Sequence, residues 1–145
     1  MKVIIDADAC PRPVFRICKE VSQKYKIELW TIASFNHNIV SDNHITVDSS
    51  SQAADIKIMN IVSKGDIVVT QDWGLAAMIL GKEAKCIGVN GKEYKNSNIE
   101  FLLEERETKA KLRRNGKRVK GSVKKSFDAD NDFTGTLVRL IEETQ

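Results

Sequence analysis

The chain has 145 residues, 41% of them hydrophobic and 30% charged, with two prolines, eight glycines and a net charge of +3. This composition is typical of one globular domain and excludes a fibrous or disordered protein, and no stretch approaches the ~20 apolar residues of a membrane-spanning helix. The three cysteines form no C-x-x-C pair, which argues against a disulfide framework or a structural zinc site and, with no signal-peptide pattern, predicts a cytoplasmic protein.

The first elements predicted are a strand and a helix. Val3–Ile5 is a short apolar run that ends in acids, as buried strands of parallel sheets do. Pro11 and Pro13 mark the start of a helix, because proline is tolerated in a first helical turn. The apolar residues that follow at helical spacing are Val14, Cys18, Val21 and Tyr25.

The middle of the chain repeats this alternation. Residues 27–33 are rich in β-forming side chains and predict a second strand, residues 34–43 a loop, and residues 45–47 a short third strand. Ser49 to Ser51 offer caps for a helix that closes at Gly65. Asp55 is expected in the first turn of that helix.

Residues 66–70, Asp-Ile-Val-Val-Thr, form the clearest strand pattern, and a helix over 74–80 and a fifth strand over 86–89 follow. Strands that alternate with helices require crossover connections and a sheet covered on both faces. The sequence therefore predicts a three-layer α/β/α fold around a mainly parallel, five-stranded sheet.

The carboxyl-terminal part is strongly basic. Residues 106–125 hold ten Lys or Arg and one acid, Glu107, and we call them the basic segment. A last amphipathic helix follows, with its apolar stripe at Phe133, Leu137, Leu140 and Ile141. We expect that helix to pack on the same domain, so that residues 1–145 form one unit.

Four aspartates are expected at one edge of the sheet. Asp6 and Asp8 follow strand one, Asp72 follows strand four, and Asp55 begins the helix after strand three; ligands of open parallel sheets bind beyond these strand ends. Carboxylates about 4 Å apart repel by roughly 4 kcal/mol per pair. A hard cation relieves that repulsion, so these residues predict a Mg²⁺ or Mn²⁺ site.

Each of these aspartates also has a plain structural reading as a helix cap. Asp66, at the opposite end of its strand, is interpreted as turn chemistry, and Cys10 as a small buried residue. His37 lies in the loop after strand two and is a candidate substrate contact. Trp73 either stacks on a base or packs internally.

The basic segment is the candidate nucleic-acid contact. Clustered Arg and Lys suit phosphate binding, although a solvated helix face has the same composition. The residues expected to contact phosphates are Arg113, Arg114, Lys117, Arg118 and Lys120.

Four stretches together carry a family resemblance. They are Val3-Ile4-Ile5-Asp6-Ala7-Asp8-Ala9-Cys10-Pro11, Ser34-Phe35-Asn36-His37, Ala53-Ala54-Asp55, and Gly65-Asp66-Ile67-Val68-Val69-Thr70-Gln71-Asp72-Trp73-Gly74-Leu75-Ala76-Ala77. They resemble the bacterial YaiI/YqxD family over nearly the whole chain, and that family's fold is related to PIN and NYN nuclease-like domains. The resemblance implies metal binding by Asp6, Asp55 and Asp72, with Asp8 assisting, and a basic tail like the family's.

These observations predict a Mg²⁺- or Mn²⁺-dependent PIN-like phosphodiesterase, a ribonuclease in the simplest case, acting on RNA or single-stranded nucleic acid. Asp6, Asp55 and Asp72 are its expected catalytic residues. One alternative is a phosphatase of the haloacid dehalogenase kind, since Asp6-x-Asp8 mimics its nucleophile motif. The other is a nucleic-acid-binding module without catalysis, in which the acids hold a structural ion or cap helices.

Overall fold

A computed structural model describes residues 1–34, 43–48, 52–97 and 127–145. Its strands are β1 (Lys2–Asp6), β2 (Glu28–Ala33), β3 (Asn43–Thr46), β4 (Ile67–Val69), β5 (Lys85–Ile87) and β6 (Glu93–Tyr94). Its helices are α1 (Arg12–Tyr25), α2 (Ala53–Ile61), α3 (Trp73–Gly81) and α4 (Phe127–Thr144), with a 3₁₀ turn at Ala7–Ala9.

The described strands form one sheet in the order β3-β2-β1-β4-β5-β6. Strands β1 to β5 pair in parallel, and β6 is antiparallel to β5. β1 and β4 are therefore central neighbours, and their ends at Asp6 and Val69 lie side by side. The C-terminal ends of the parallel strands lie along one side of the sheet, and we call this side, which is not an edge strand, the carboxyl edge.

Helices cover both faces of the sheet. Side chains alternate along the strands, so that Val3 and Ile5 pack in one buried cluster with α1 and α4, whereas Ile4 packs in a second cluster with α2 and α3. All three are fully buried. The predicted three-layer α/β/α architecture is confirmed.

The sheet has one strand more than the sequence predicted. β6 contains two residues and pairs through Cys86 with Tyr94 and through Ile87 with Glu93. The chain turns back at Gly91, whose φ of +87° is a left-handed conformation that glycine adopts without strain. A strand of two residues has no periodicity to detect, which is why β6 was missed.

Helix α4 runs from the carboxyl edge to the opposite edge. Near its middle, the Thr136 hydroxyl donates to the Gly91 carbonyl at 2.8 Å. Near its end, Tyr25 Oη donates to Glu142 at 2.8 Å, at the point where α1 ends. The predicted apolar stripe of α4 is confirmed, since Phe133, Leu137, Leu140 and Ile141 are fully buried.

Asp66 lies on the side of the sheet opposite to the carboxyl edge. Its carboxylate accepts from the Lys2 and Ser63 backbone N–H groups at 3.0 and 2.8 Å and pairs with the Lys2 ammonium at 2.6 Å. The interpretation of Asp66 as a structural residue is confirmed. No helix in the described ranges is long and apolar enough to cross a bilayer.

Candidate metal centre

Asp6 lies at the centre of the carboxyl edge. It is the last residue of β1 and only 9% exposed, and its Oδ2 accepts a hydrogen bond of 3.0 Å from the Thr70 hydroxyl. Burial raises the pKa of Asp6, the Thr70 bond opposes that rise, and the charges of Asp8 and Asp72 add to it. The energetic cost of ionising Asp6 is therefore set by burial and by two other carboxyl groups.

Asp72 is joined to Asp6 through the same threonine. Thr70 Oγ1 accepts from the Asp72 backbone N–H at 3.0 Å, and Asp72 Oδ1 accepts from the Leu75 N–H at 3.1 Å. Asp72 thus caps α3, as the structural reading of this residue predicted. The charge of Asp72 also acts on the Asp55 carboxyl group.

Asp55 completes the group from the opposite helix. It lies in the first turn of α2 without capping it, because the cap residue is Gln52 and no side-chain cap bond forms there. The pKa of Asp55 is raised to about 6, first by burial, then by the charges of Asp72 and Asp6, and by the hydrogen bond to Asp72. Asp55 is therefore harder to ionise beside Asp72 and Asp6 than it would be in water.

Asp8 performs a different task. Its exposed carboxylate accepts from the Ser34 backbone N–H at 2.9 and 3.1 Å and from the Ser34 hydroxyl at 2.6 Å. These bonds join the turn after β1 to the end of β2. Asp8 therefore acts on the Asp6 carboxyl through its charge, while its own oxygens are engaged with Ser34.

The donor set suits a hard cation. Asp6, Asp55 and Asp72 offer oxygen ligands without any thiol or imidazole, and Mg²⁺ and Mn²⁺ prefer such ligands. Among the described residues, no group of three or more His, Cys, Asp or Glu side chains is already arranged to hold an ion. We use the name acidic cluster for Asp6, Asp55 and Asp72, because Thr70 bonds to both Asp6 and Asp72 and the charges of these two act on Asp55.

Two further candidates have structural roles. Cys10 is partly buried against the core, and burial together with the charge of Asp6 raises the pKa of its thiol to about 12, which leaves little thiolate to act as a nucleophile. Trp73 packs edge-on against Tyr94, with ring centroids 6.2 Å apart. The interpretation of both residues as packing residues is supported.

The remaining predicted contacts cannot be placed in the fold. His37 lies outside the described residues, and so do the basic segment and its candidate phosphate contacts Arg113, Arg114, Lys117, Arg118 and Lys120. Their assignments stay predictions from the sequence.

Two residues of the site were missed by the sequence reasoning. Thr70 ends the apolar pattern of β4, and a hydroxyl two residues before Asp72 was the available signal. Tyr94 is buried, and burial, then the charges of Cys86 and Asp72, raise its pKa to about 12. No sequence signal could place Tyr94 there, because its position depends on β6.

Comparison with known proteins identifies relatives along nearly the full chain. A UPF0178 protein of Heliobacterium modesticaldum is 49% identical over 143 residues, covering 99% of this chain and 98% of the relative. UPF0178 proteins of Ruminiclostridium cellulolyticum and Exiguobacterium sibiricum are 42% and 38% identical, covering 98% and 99% of this chain and 93% and 98% of those relatives. No solved structure matches. Residues 4–143 match the family model described as "Uncharacterized BCR, YaiI/YqxD family", and the chain belongs to that YaiI/YqxD family.

Proposed function

We propose that this protein is a metal-dependent, PIN-like phosphodiesterase that acts on RNA or single-stranded nucleic acid. The observation that carries the proposal is the acidic cluster. Asp6, Asp55 and Asp72 come from β1, from α2 and from the connection between β4 and α3, and yet the charge of Asp72 adds to the effect of burial in raising the pKa of both Asp6 and Asp55. A fold gains no stability from such repulsion, so an arrangement of this kind indicates a binding function.

Asp6, Asp55 and Asp72 would hold Mg²⁺ or Mn²⁺ in this proposal. When bound, such an ion supplies charge stabilisation to a phosphodiester and lowers the pKa of a coordinated water. The chain's own groups prepare the ligands. The Thr70 hydroxyl fixes the orientation of Asp6, and the bond from the Leu75 N–H fixes that of Asp72.

The start of α4 supports nucleic acid as the partner. The basic segment ends at residue 125, and α4 begins at Phe127. The middle of α4 packs at the carboxyl edge, since the Thr136 hydroxyl bonds to Gly91 there. The basic segment is therefore joined in sequence to a helix that contacts the carboxyl edge, where the acidic cluster lies.

A nucleic-acid-binding module without catalysis is the second candidate. It is favoured by the structural tasks of two of the four predicted acids, because Asp72 caps α3 and Asp8 is bonded to Ser34. The haloacid dehalogenase reading has less support. Only the turn Ala7–Ala9 and two residues separate β1 from α1, which leaves no room for the flap of the haloacid dehalogenase fold. The second acid of the dehalogenase motif would be Asp8, whose carboxylate is bonded to Ser34.

Incubation of labelled RNA and single-stranded DNA with Mn²⁺ separates these candidates. The phosphodiesterase reading predicts cleavage by the native chain that Asp6→Asn combined with Asp72→Asn abolishes. Asn keeps the shape of each side chain and can still cap α3. Glu20→Gln, a charge removal on the exposed surface of α1, is the matched control and should cleave normally. Tight binding without product by the native chain would select the binding module.

A further inference from the structure

Three side-chain oxygens surround Gly88, just after β5. A β-carbon built on Gly88 would lie 3.0 Å from Asn90 Oδ1, 3.4 Å from Tyr94 Oη and 3.5 Å from Gln71 Oε1. Gly88 does not have the left-handed φ found at Gly65 and Gly91. The backbone therefore does not require glycine here, and what glycine provides is space. We call this group the Gly88 cradle.

The cradle adjoins the acidic cluster. Gln71 immediately precedes Asp72 in the chain, and the charge of Asp72 acts on the Tyr94 hydroxyl. The turn that begins at Gly88 ends at Gly91, on the side of the cradle away from Asp72. A β-carbon built on Gly91 would lie 2.7 Å from the backbone of Asp132 in α4. The cradle thus lies between the acidic cluster and the helix to which the basic segment is joined.

The polar atoms of the cradle are suited to an outside partner. Within the described part of the chain, Tyr94 Oη makes no hydrogen bond, although Tyr94 is only 5% exposed and buried tyrosine hydroxyls usually have a partner. Among those same residues, Ser22 Oγ is the enclosed side-chain polar atom that lacks a partner, so Tyr94 Oη reaches the surface. Asn90 Oδ1 is held in place by the Lys92 N–H at 3.0 Å.

We propose that the Gly88 cradle receives a hydrogen-bond donor of the nucleotide next to the phosphate held at the acidic cluster, and so selects the nucleic acid. The amide oxygens of Asn90 and Gln71 accept hydrogen bonds, and the Tyr94 hydroxyl can accept as well as donate, so the three suit a donor group. A nucleotide offers one as a ribose hydroxyl or as an exocyclic base amine. This inference rests on the proposed function, because it assumes that nucleic acid binds at the carboxyl edge. Gln71, Asn90 and Tyr94 are then specificity-determining residues.

The test compares the affinities of full-length variants for short single strands in Ca²⁺, which also binds carboxylate oxygens and so keeps the phosphate at the acidic cluster, and the strands are checked to be intact after each measurement. The affinities for RNA and for DNA of the same base sequence differ through the ribose hydroxyl. The affinities for oligo-A or oligo-C and for oligo-U differ through the exocyclic base amine, which uracil lacks. The native chain should prefer the donor-bearing strand of at least one pair. Gly88→Ala, which fills the cradle, should weaken binding of that strand about five- to tenfold, the effect of about one lost hydrogen bond, and leave the other strand unchanged.

Two further variants separate recognition from folding. Tyr94→Phe removes the hydroxyl but keeps the ring against Trp73, so it should lower the preference without changing the melting temperature. Gly81→Ala is the matched control, because a β-carbon there meets nothing within 4 Å, and it should bind as the native chain does. Equal weakening of both strands by Gly88→Ala, or an unchanged preference in both cradle variants, would overturn the proposal.

The results that would refute the proposed function differ from those that would refute the cradle. If the native chain binds strands with a cradle-dependent preference but never cleaves them with Mn²⁺, catalysis is refuted and the cradle stands. If it cleaves but the cradle variants keep the native preference, only the cradle is refuted. Absence of binding to every strand would refute both.

Discussion

The Asp55 side chain shows how the candidate site opposes folding. Its pKa in the folded protein is about 6, against an ordinary value of 3.8, so the folded chain binds more protons than the unfolded chain between those two values. Stability should therefore fall as pH rises from about 4 to about 6 and level off above that range.

Asp55→Asn should remove this component of the pH dependence. Without a cation at pH 7 we expect a gain in the free energy of unfolding below about 1 kcal/mol, because the partly exposed side chain is screened by solvent. Urea denaturation across pH 4 to 7.5 measures the effect, with Glu20→Gln as the control. An unchanged pH profile in Asp55→Asn would show that Asp55 does not carry the shift.

Thr70 connects the two central acids. Thr70→Val removes the hydroxyl that donates to Asp6 and accepts from the Asp72 N–H, and we expect a loss of about 1–3 kcal/mol in unfolding free energy. Because the Thr70 bond lowers the pKa of Asp6, the loss should be larger at pH 7 than at pH 4. Thr70→Ser keeps the hydroxyl and should lose much less; a loss in Thr70→Ser as large as that in Thr70→Val would contradict the role of the hydroxyl.

The residues of the site could be predicted from sequence to different degrees. Asp6, Asp55 and Asp72 follow from one rule, that ligands gather where parallel strands end. The raised pKa of Asp55 could not be foreseen, because it depends on burial and on the separation of side chains from different elements. Asp8 shows the limit of motif reasoning, since its spacing from Asp6 does not reveal that Ser34 occupies its oxygens.

At the scale of elements, α4 is held at its start by a close backbone contact. A β-carbon on Gly91 would lie 2.7 Å from Asp132 C and Phe133 N, and Gly91 has a φ of +87°. Gly91→Ala should therefore cost about 2 kcal/mol or more in unfolding free energy, through both strain and clash. It should also increase proteolytic cleavage near the start of α4.

The control for this prediction is Gly81→Ala, where a β-carbon meets nothing within 4 Å. Its stability should equal that of the native chain or exceed it slightly, because alanine favours helix more than glycine does. Similar stability of Gly91→Ala and Gly81→Ala would contradict the close packing of α4.

Strong local patterns made most elements predictable. The apolar run of β4 and the stripe of α4 identified those elements, because burial on one or both faces dictates the spacing of apolar residues. The start of α2 was less well defined, since three serines offered caps and the cap residue is Gln52. β6 depends on pairing with β5, a tertiary contact that leaves no local pattern.

At the scale of the whole molecule, charge is distributed unevenly along the chain. The basic segment carries ten positive residues against one acid, on a chain whose net charge is only +3. If it contacts phosphates, the affinity for single strands should fall with salt, with a log–log slope of about −0.7 for each phosphate neutralised.

Lys117→Ala combined with Arg118→Ala should make that slope shallower by about 1 to 2, equally for all sequences. Lys64→Ala, an exposed lysine near Glu83 at the opposite edge, should leave the slope unchanged. The same slope in the double variant and in the native chain would place the phosphate contact elsewhere.

The central claim is that Asp6, Asp55 and Asp72 bind a divalent cation at the carboxyl edge, and melting with and without Mn²⁺ tests it most directly. At about a hundredfold excess over the Kd, binding to the folded state should raise the melting temperature of the native chain and of Glu20→Gln by roughly 5–10 °C. Asp6→Asn combined with Asp72→Asn should gain nothing. Equal gains in the native chain and the double variant would contradict the claim.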